Sequence, residues 1–293
     1  MIAYEDVQAM LTSALPGERV ETLHLLPGGL ATDAYHVRTT DCDIVVKVFR
    51  KADPRAELEW ARLEFAQRIN LPIPKPIALD LQGSWFGSPA LVMSCLDGKV
   101  ELNPPHLDTW LDEVANTLAE VHRTDIAGAG PVTLSSRGVG HWSLLPLERS
   151  GLVGRATAAL ERTTIDGAED LVLMHGDFHP GNVLWKDGVV SAVVDWSASR
   201  VGPRWFEVAY SRADIALLFG LGAARRFTNA YVAKVGCIPV HLAAYDLMCG
   251  LVAQHFSSRW LGAFRDQGCR SNEEKFAERA KSFLLQALDQ LDT

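Results

Sequence analysis

The chain has 293 residues, 48% of them hydrophobic and 22% charged, and a net charge of −8. That length supports a substantial core in one large domain or two modest ones, and the excess of acid excludes the basic stripe that non-specific nucleic-acid binding needs. The five cysteines (Cys42, Cys95, Cys237, Cys249 and Cys269) form no C-x-x-C pair, and charges interrupt every candidate run of 18 apolar residues, so a disulfide framework, a zinc ribbon and a membrane span are not expected.

The opening MIAYEDVQAM has no basic segment leading into an apolar one, so a cytoplasmic protein is expected. The first third carries strand-like runs: two short ones around the Gly-Gly turn in HLLPGGLATDAYHV, then the alternating β-branched run DIVVKVF with Lys47 inside it. KADPRAELEWARLEFAQRIN reads as a helix, with Asp53 as N-cap and Pro54 at the first helical position, where a missing N–H costs nothing. Leu58, Ala61, Leu63, Phe65 and Ala66 give that helix its apolar side. Three prolines make LPIPKPIAL extended, and PALVMSCLDG reads as a strand ending in a turn.

From about residue 104 the pattern turns helical: Leu107, Leu111, Val114, Leu118 and Val121 share one face, and His122 closes the run. Residues 124–145 read as loop, 171–195 as strand, and three or more helical patterns follow Pro203. The last is SNEEKFAERAKSFLLQALDQL, capped by Ser271 or Asn272. This organisation predicts a strand-rich lobe over residues 1–95 and a mainly helical lobe over 96–293.

The octet HGDFHPGN (175–182) admits two readings. If extended, it puts His175, Asp177 and His179 on one face, as a metal cradle would. The segment that follows favours another. Asp187-Gly188 lies between two alternating apolar runs, a hairpin signal. Facing residues then sum to about 375, setting Asn182 opposite Val193 and Asp195 opposite Pro180 at the open end of the hairpin. Asp177 reaches the same end over a Pro-Gly loop. Two carboxylates and an amide are hard oxygen donors suited to Mg²⁺, and one carboxylate is left to act as a base, the layout phosphoryl transfer requires. His175 and His179 are then loop scaffold, their ring nitrogens bracing the backbone.

HGDFHPGNVLW followed by VVDWSASRVGPRWFEVAY resembles the aminoglycoside phosphotransferase and choline kinase group of small-molecule kinases. The resemblance implies an α+β, bilobal protein-kinase-like fold, with an antiparallel-sheet N-lobe that binds nucleotide and a helical C-lobe with the catalytic loop and acceptor site. It implies that Asp177 is the catalytic base, that Asn182 and Asp195 hold Mg²⁺, and that Lys47 pairs with the α/β-phosphates of ATP, or of GTP. Glu59 matches the helix glutamate that holds this lysine; Glu57 and Glu64, on the same helix, read as solvated. LVMSCLDG resembles the hinge, with Met93 behind the adenine pocket and backbone groups of Ser94 and Leu96 on the base.

Two departures stand out. The phosphate-covering turn, Gly28, Gly29, Ala31 and Thr32, has Ala-Thr where the family often has Ser-Asn. Glu207 stands where an Asp is usual, and it is expected to brace the loop rather than to act in catalysis. Too few residues separate Asp195 from Pro203 for the segment on which a protein kinase holds a peptide. The acceptor is therefore expected to be a small hydroxylated molecule, first among them an aminoglycoside-type cationic antibiotic, with amino alcohols, sugars and macrolides as competitors. Asp214, Asp246 and Asp266 are candidate acceptor anchors, and Trp185, Trp196, Trp205 and Trp260 could line a cleft, although solvated carboxylates and core tryptophans are commoner. A non-catalytic nucleotide-binding regulator and a zinc hydrolase are the readings from other classes. The expected partners exclude nucleic acid and membrane, and a monomer or weak dimer is expected.

Overall fold

The computed structural model describes residues 2–26, 32–51, 53–130, 145–147, 149–165 and 170–291. The first element is a helix, α1 (Tyr4–Ala14), which the strand-like character of the first third did not announce. Strands β1 (Val20–Leu25), β2 (Asp33–Thr39) and β3 (Asp43–Val48) follow, then α2 (Arg55–Ala66), β4 (Pro76–Asp80) and β5 (Ala90–Ser94). The strands form one antiparallel sheet in the order β1-β2-β3-β5-β4.

Alternation along β3 gives the sheet two distinct faces. Ile44 and Val46 point outward into a cluster with Val7, Met10 and Leu11 of α1 and Val37 of β2. Asp43, Val45 and Lys47 point the other way, into a cleft. Helix α2 starts one residue later than its sequence suggests, with Pro54 at the cap; Asp53 still serves its first turn, accepting from the Arg55 N–H at 3.0 Å.

The short β6 (Lys99–Val100) leads into α3 (Leu107–His122) and, further on, α4 (Gly151–Arg162). Strand β7 (Leu171–Met174) precedes the hairpin β8 (Val183–Lys186) and β9 (Val189–Val193), and β10 (Arg200–Pro203) pairs back onto β7. Four helices follow: α5 (Arg204–Phe219), α6 (Leu221–Val235), α7 (Leu242–Asp266) and α8 (Glu273–Leu291). Asn272, one of the two expected caps, accepts from the Lys275 N–H at 2.8 Å. Helix α5 packs among α6, α7 and α8, and its buried face carries Val208, Ala209, Ile215, Ala216 and Leu217.

The hairpin turns at Asp187 (φ 53°) and Gly188 (φ 81°), both left-handed as a type I′ turn requires. Its register corrects the expected one. A bulge between Leu184 and Trp185 pairs Leu184 with Ala192 but Trp185 with Val190, so the open end is shifted by one residue. Asn182 therefore sits opposite Val194, whose N–H donates to the Asn182 carbonyl at 3.0 Å, and not opposite Val193. The fold is the α+β arrangement the sequence predicts, a five-stranded antiparallel sheet against a mainly helical part.

Candidate active site

A cleft of about 1000 Å³ lies between the sheet and the helical part. Its sheet side is lined by Thr32, Ala34, His36, Val45, Lys47 and Met93, and its other side by Asp177, Asn182, Asp195, Tyr210 and Asp214. Gly28, Gly29 and Ala31 of the expected phosphate turn lie outside the described residues, as does most of the expected loop at 124–145.

Lys47 projects from β3 between its neighbours Ala34 and Leu91. Its Nζ lies 2.6 Å from Glu59 Oε1 and 2.9 Å from Asp195 Oδ1, bridging α2 to the end of the hairpin. Glu59 reaches it because it lies on the inner face of α2, one turn before the buried Leu63; Glu57 and Glu64 point to solvent. Burial works against the charge on Lys47, but Asp195 and then Glu59 outweigh it and hold the ammonium above the ordinary lysine range. Burial works against Asp195 as well, and Lys47 again prevails, keeping this carboxyl well below the usual range. Asp195 has left-handed backbone (φ 63°), which sharply turns the chain into a short 3₁₀ segment, Trp196–Ala198. Arg62 of α2 donates to the Ser197 carbonyl and ties this turn to the sheet lobe.

Asp177 stands on the loop after β7. Its Oδ1 accepts from the Tyr210 hydroxyl at 2.6 Å, and its backbone carbonyl accepts from Asn182 Nδ2 at 2.9 Å. Burial, then Asp177, push the Tyr210 phenol well above its ordinary range, so it is a neutral donor. With Nδ2 committed to the loop, the amide oxygen of Asn182 is its remaining polar atom on the cleft. That oxygen and the Asp195 carboxylate are the hard donors Mg²⁺ takes, and they fit the ion the resemblance implies.

The two histidines of the octet do not converge on an ion. His175 is fully buried; its Nε2–H donates to the Val194 carbonyl at 2.9 Å and its Nδ1 accepts from the Asp177 N–H at 3.3 Å. His179 Nδ1 accepts from the Gly181 N–H at 3.0 Å, and its ring packs edge-on against Phe264 of α7. Among the described residues no group of three or more His, Cys, Asp or Glu could hold a metal. Gly176 turns the loop at φ 84°, where a Cβ would collide with the Ala198 carbonyl.

Glu207 braces this loop from below. Oε2 accepts from the His175 N–H at 2.9 Å and from His122 Nε2 at 2.8 Å, and Oε1 accepts from the Gly176 N–H. The chain continues outward: the Tyr231 hydroxyl donates to His122 Nδ1 at 2.6 Å and accepts from Arg204 at 2.8 Å, and Arg204 meets Asp170 at 2.6 Å. Burial holds His122 below its ordinary pKa, so the ring is neutral, with its proton on the nitrogen facing Glu207.

On the hinge side, Met93 is buried and lines the cleft beside Val45, and Ser94 and Leu96 follow it there. The Ser94 N–H is already bonded to the Lys75 carbonyl at 2.9 Å, so a contact from Ser94 to a base would come through its own carbonyl.

The expected acceptor anchors separate three ways. Asp246 is buried and paired with Arg212 at 2.9 Å, its carboxyl pushed up to about 6 by burial; it is neither solvated nor turned to the cleft. Asp266 is exposed on the cleft rim. Asp214 is buried yet lines the cleft. Of the tryptophans, Trp185 stacks on Trp110 and Trp205 packs against Tyr231, while Trp196 and Trp260 reach the cleft wall. Sequence reasoning passed over Tyr210 and His122 as site residues. Glu207, Tyr210 and Asp214 recur at helical spacing in EVAYSRADIALLF, a segment otherwise apolar but for Ser211 and Arg212, and that stripe was the available signal.

A model of the phosphotransferase enzyme family matches residues 22–236. The chain belongs to that family. It is an enzyme, a small-molecule kinase by kinship. The aminoglycoside 3'-phosphotransferase of Streptomyces fradiae is 29% identical over 216 residues, 63% of this chain and 78% of that protein. Acyl-CoA dehydrogenase family member 10 of Mus musculus is 23% identical over 249 residues; these are 75% of this chain but span only 23% of the mouse protein. Among solved structures, a candidate aminoglycoside phosphotransferase of Ralstonia eutropha superposes with a TM-score of 0.73 at 16% identity, covering 100% of this phosphotransferase and 99% of that chain. A variant of aminoglycoside phosphotransferase APH(4)-Ia in ternary complex with AMP-PNP and hygromycin B gives 0.66 at 20% identity, over 96% and 98% of the two chains. Macrolide 2'-phosphotransferase MphH of Brachybacterium faecium gives 0.63 at 19% identity, over 96% and 97%. These likenesses establish the protein-kinase-like fold.

Proposed function

We propose that this phosphotransferase moves the γ-phosphoryl group of ATP, or GTP, to a hydroxyl of a small cationic molecule, and that an aminoglycoside-type antibiotic is the foremost acceptor. The observation that carries the reading is Lys47 held between Glu59 and Asp195 across one cleft from Asp177. A fixed ammonium, a pair of oxygen donors and a base facing one space are what phosphoryl transfer asks of a protein, since its catalysis is positioning and charge stabilisation.

Asp177 accepts the proton of the acceptor hydroxyl as its oxygen bonds to the γ-phosphorus, and the bond from that phosphorus to the β-phosphate oxygen breaks, ADP leaving with the electron pair. Tyr210 occupies Oδ1, and Oδ2, which holds no hydrogen bond and lies 3.9 Å from His179 Nε2, is the oxygen to take this proton. Lys47 pairs with the α/β-phosphates, and Met93, Ser94 and Leu96 border the base. Asn182 and Asp195 would hold Mg²⁺, which when bound neutralises phosphate charge. Only a short turn and β10 lie between Asp195 and α5, which favours a small acceptor over a protein. Hygromycin B, bound in the complex of the APH(4)-Ia variant, and the macrolides for which MphH is named are two precedents for small acceptors.

A coupled screen for ADP release from Mg·ATP and GDP release from Mg·GTP over aminoglycosides, macrolides, peptide antibiotics, choline and sugars tests the reading. Asp177→Ala is expected to cut turnover by about 100-fold or more while nucleotide affinity stays near wild type, and Asp195→Ala is expected to abolish Mg²⁺-dependent nucleotide binding. Turnover of no small hydroxyl acceptor, with a generic protein substrate phosphorylated instead, would overturn it.

A further inference from the structure

His179 uses only one of its two ring nitrogens inside the protein. Nδ1 accepts from the Gly181 N–H at 3.0 Å, so it carries the lone pair and the ring proton is on Nε2. Among the described residues that Nε2–H has no acceptor within hydrogen-bond distance; Oδ2 of Asp177 lies 3.9 Å away, too far for a direct bond. His175, four residues earlier in the same octet, engages both nitrogens, with the Val194 carbonyl and with the Asp177 N–H. The scaffold role that accounts for His175 therefore leaves one atom of His179 unaccounted for, and His179 lines the cleft beside the base.

The ring is held where it stands. Phe264 of α7 meets it edge-to-face at 5.6 Å, and a Cβ at Gly181 would come within 2.7 Å of its Cε1. Gln267, just past the end of α7, donates to the Gly181 carbonyl at 3.3 Å and fixes that backbone against the ring. Oδ2 of Asp177 is fixed as well, since Tyr210 holds Oδ1. A donor and an acceptor thus stand 3.9 Å apart, neither of them hydrogen-bonded. One hydroxyl satisfies both: with its oxygen about 2.8 Å from each, it accepts from Nε2–H and donates to Oδ2. Its remaining lone pair is then left for phosphorus.

The geometry points to His179 as the second anchor of the acceptor hydroxyl: its Nε2–H donates to the nucleophilic oxygen while Asp177 takes that oxygen's proton. The inference rests on the kinase reading of the cleft. In the step, the oxygen gives its proton to Oδ2 and a lone pair to the γ-phosphorus, and the bond from that phosphorus to ADP breaks, its electrons leaving with ADP. The Nε2–H bond stays intact throughout. The ring is a donor and not a proton relay, because Nε2 already holds its proton and Nδ1 is committed to Gly181. It orients the oxygen and steadies the negative charge that gathers there as the proton leaves.

Two substitutions separate this role from the scaffold role. His179→Asn puts an amide oxygen where Nδ1 stood, so the Gly181 N–H keeps an acceptor, but no donor reaches the place of Nε2. His179→Gln does the opposite: its amide nitrogen reaches the place of Nε2, and the Gly181 N–H loses its acceptor. The measurement is ADP release from Mg·ATP with kanamycin, hygromycin B, erythromycin, choline and water as acceptors, beside calorimetric Kd values for Mg·ATP. The asparagine variant is expected to lose about 20-fold in kcat/KM for the acceptor and the glutamine variant no more than about threefold, with both Kd values within about twofold of wild type. The reverse order, or equal losses, would overturn the proposal in favour of a purely structural ring. A long-range proton–nitrogen NMR correlation of the wild-type protein, with the His179 signals assigned by their loss in either variant, reads the tautomer without reference to turnover. A proton on Nδ1 would also overturn the proposal. A wild type that turns over none of these acceptors would instead take away the kinase reading, and the anchor with it, whatever the tautomer.

Discussion

The Tyr210 hydroxyl donates to Oδ1 of Asp177 at 2.6 Å from the first half of α5, one turn after Glu207. The bond fixes the rotation of the carboxylate and divides its oxygens: Oδ1 holds the Tyr210 hydroxyl, and Oδ2, 3.9 Å from His179 Nε2, is left without a hydrogen bond. Tyr210→Phe keeps the ring and its packing and removes only the donor. We expect kcat to fall about tenfold, or about 1.4 kcal/mol, with the nucleotide KM unchanged. Steady-state kinetics at saturating acceptor reads this split; an unchanged kcat would mean that the loop alone orients Asp177.

The ion triad Glu59–Lys47–Asp195 joins three elements distant in sequence. Lys47→Met preserves the length of the side chain and removes the charge, leaving two acids without their cation. The expected result is a loss of about 100-fold in kcat/KM for the nucleotide, with a lowered melting temperature. Glu59→Gln should do less, because Asp195 still faces the ammonium. Calorimetric Kd values for Mg·ATP and thermal melts of the two variants check the order; equal effects would sink it.

How much of this site could be read from the sequence follows the range over which each feature is determined. The residues of the octet and the Asp187-Gly188 turn declare themselves by local pattern, whereas Lys47 and Glu59 are singled out by the family resemblance. Strand alternation put Lys47 in the cleft, and helical spacing put Glu59 on the inner face of α2. The one-residue error at Asn182 came from the bulge at Leu184, which no residue in the strand signals because both flanks keep their alternation. Helix α1 was missed because only Val7, Met10 and Leu11 of its residues are buried, a stripe too short to stand out. The brace from Glu207 through His122 to Tyr231 spans residues 85 positions and more apart, and such pairings are set by packing of α3, α5 and α6 rather than by any local pattern. Asp246 shows the same limit: its place on α7 was plain, its burial against Arg212 was not.

Glu207 gathers the His175 amide, the Gly176 amide and the His122 ring on one buried carboxylate. Glu207→Ala would leave all three donors unpaired under the loop that carries Asp177. A destabilisation of about 3 kcal/mol is expected, measured by urea unfolding, together with a loss of turnover larger than the loss of nucleotide affinity. Glu207→Asp, which restores the residue usual in the family at a shorter reach, should recover part of the stability. A fully active, fully stable alanine variant would show that the loop holds its shape without the brace.

The same brace gives the protein a pH dependence whose sign can be worked out. Burial keeps folded His122 neutral to a pH below its ordinary 6.5, whereas in the unfolded chain it takes up a proton at about 6.5. Between those two values the unfolded state binds more protons, so stability falls as the pH drops through 6.5, by up to about 1.4 kcal/mol for each unit inside the window. His179, also held down by burial, adds to the same slope. Glu207 continues it lower, since its folded pKa is depressed below 4.5: burial opposes the charge, but the hydrogen bond from His122 outweighs it. As far as these groups govern it, stability should be flat above neutrality and decline on acidification; Asp246, its carboxyl pushed up to about 6, and Asp214 work in the opposite sense, which is why the comparison is made against a variant. His122→Gln is expected to be less stable at pH 7.5 yet to show a shallower decline from pH 7 to 5, since one of the titrating rings is gone. Urea melts of both proteins across that range decide the matter; parallel curves would show that His122 is not the group being protonated.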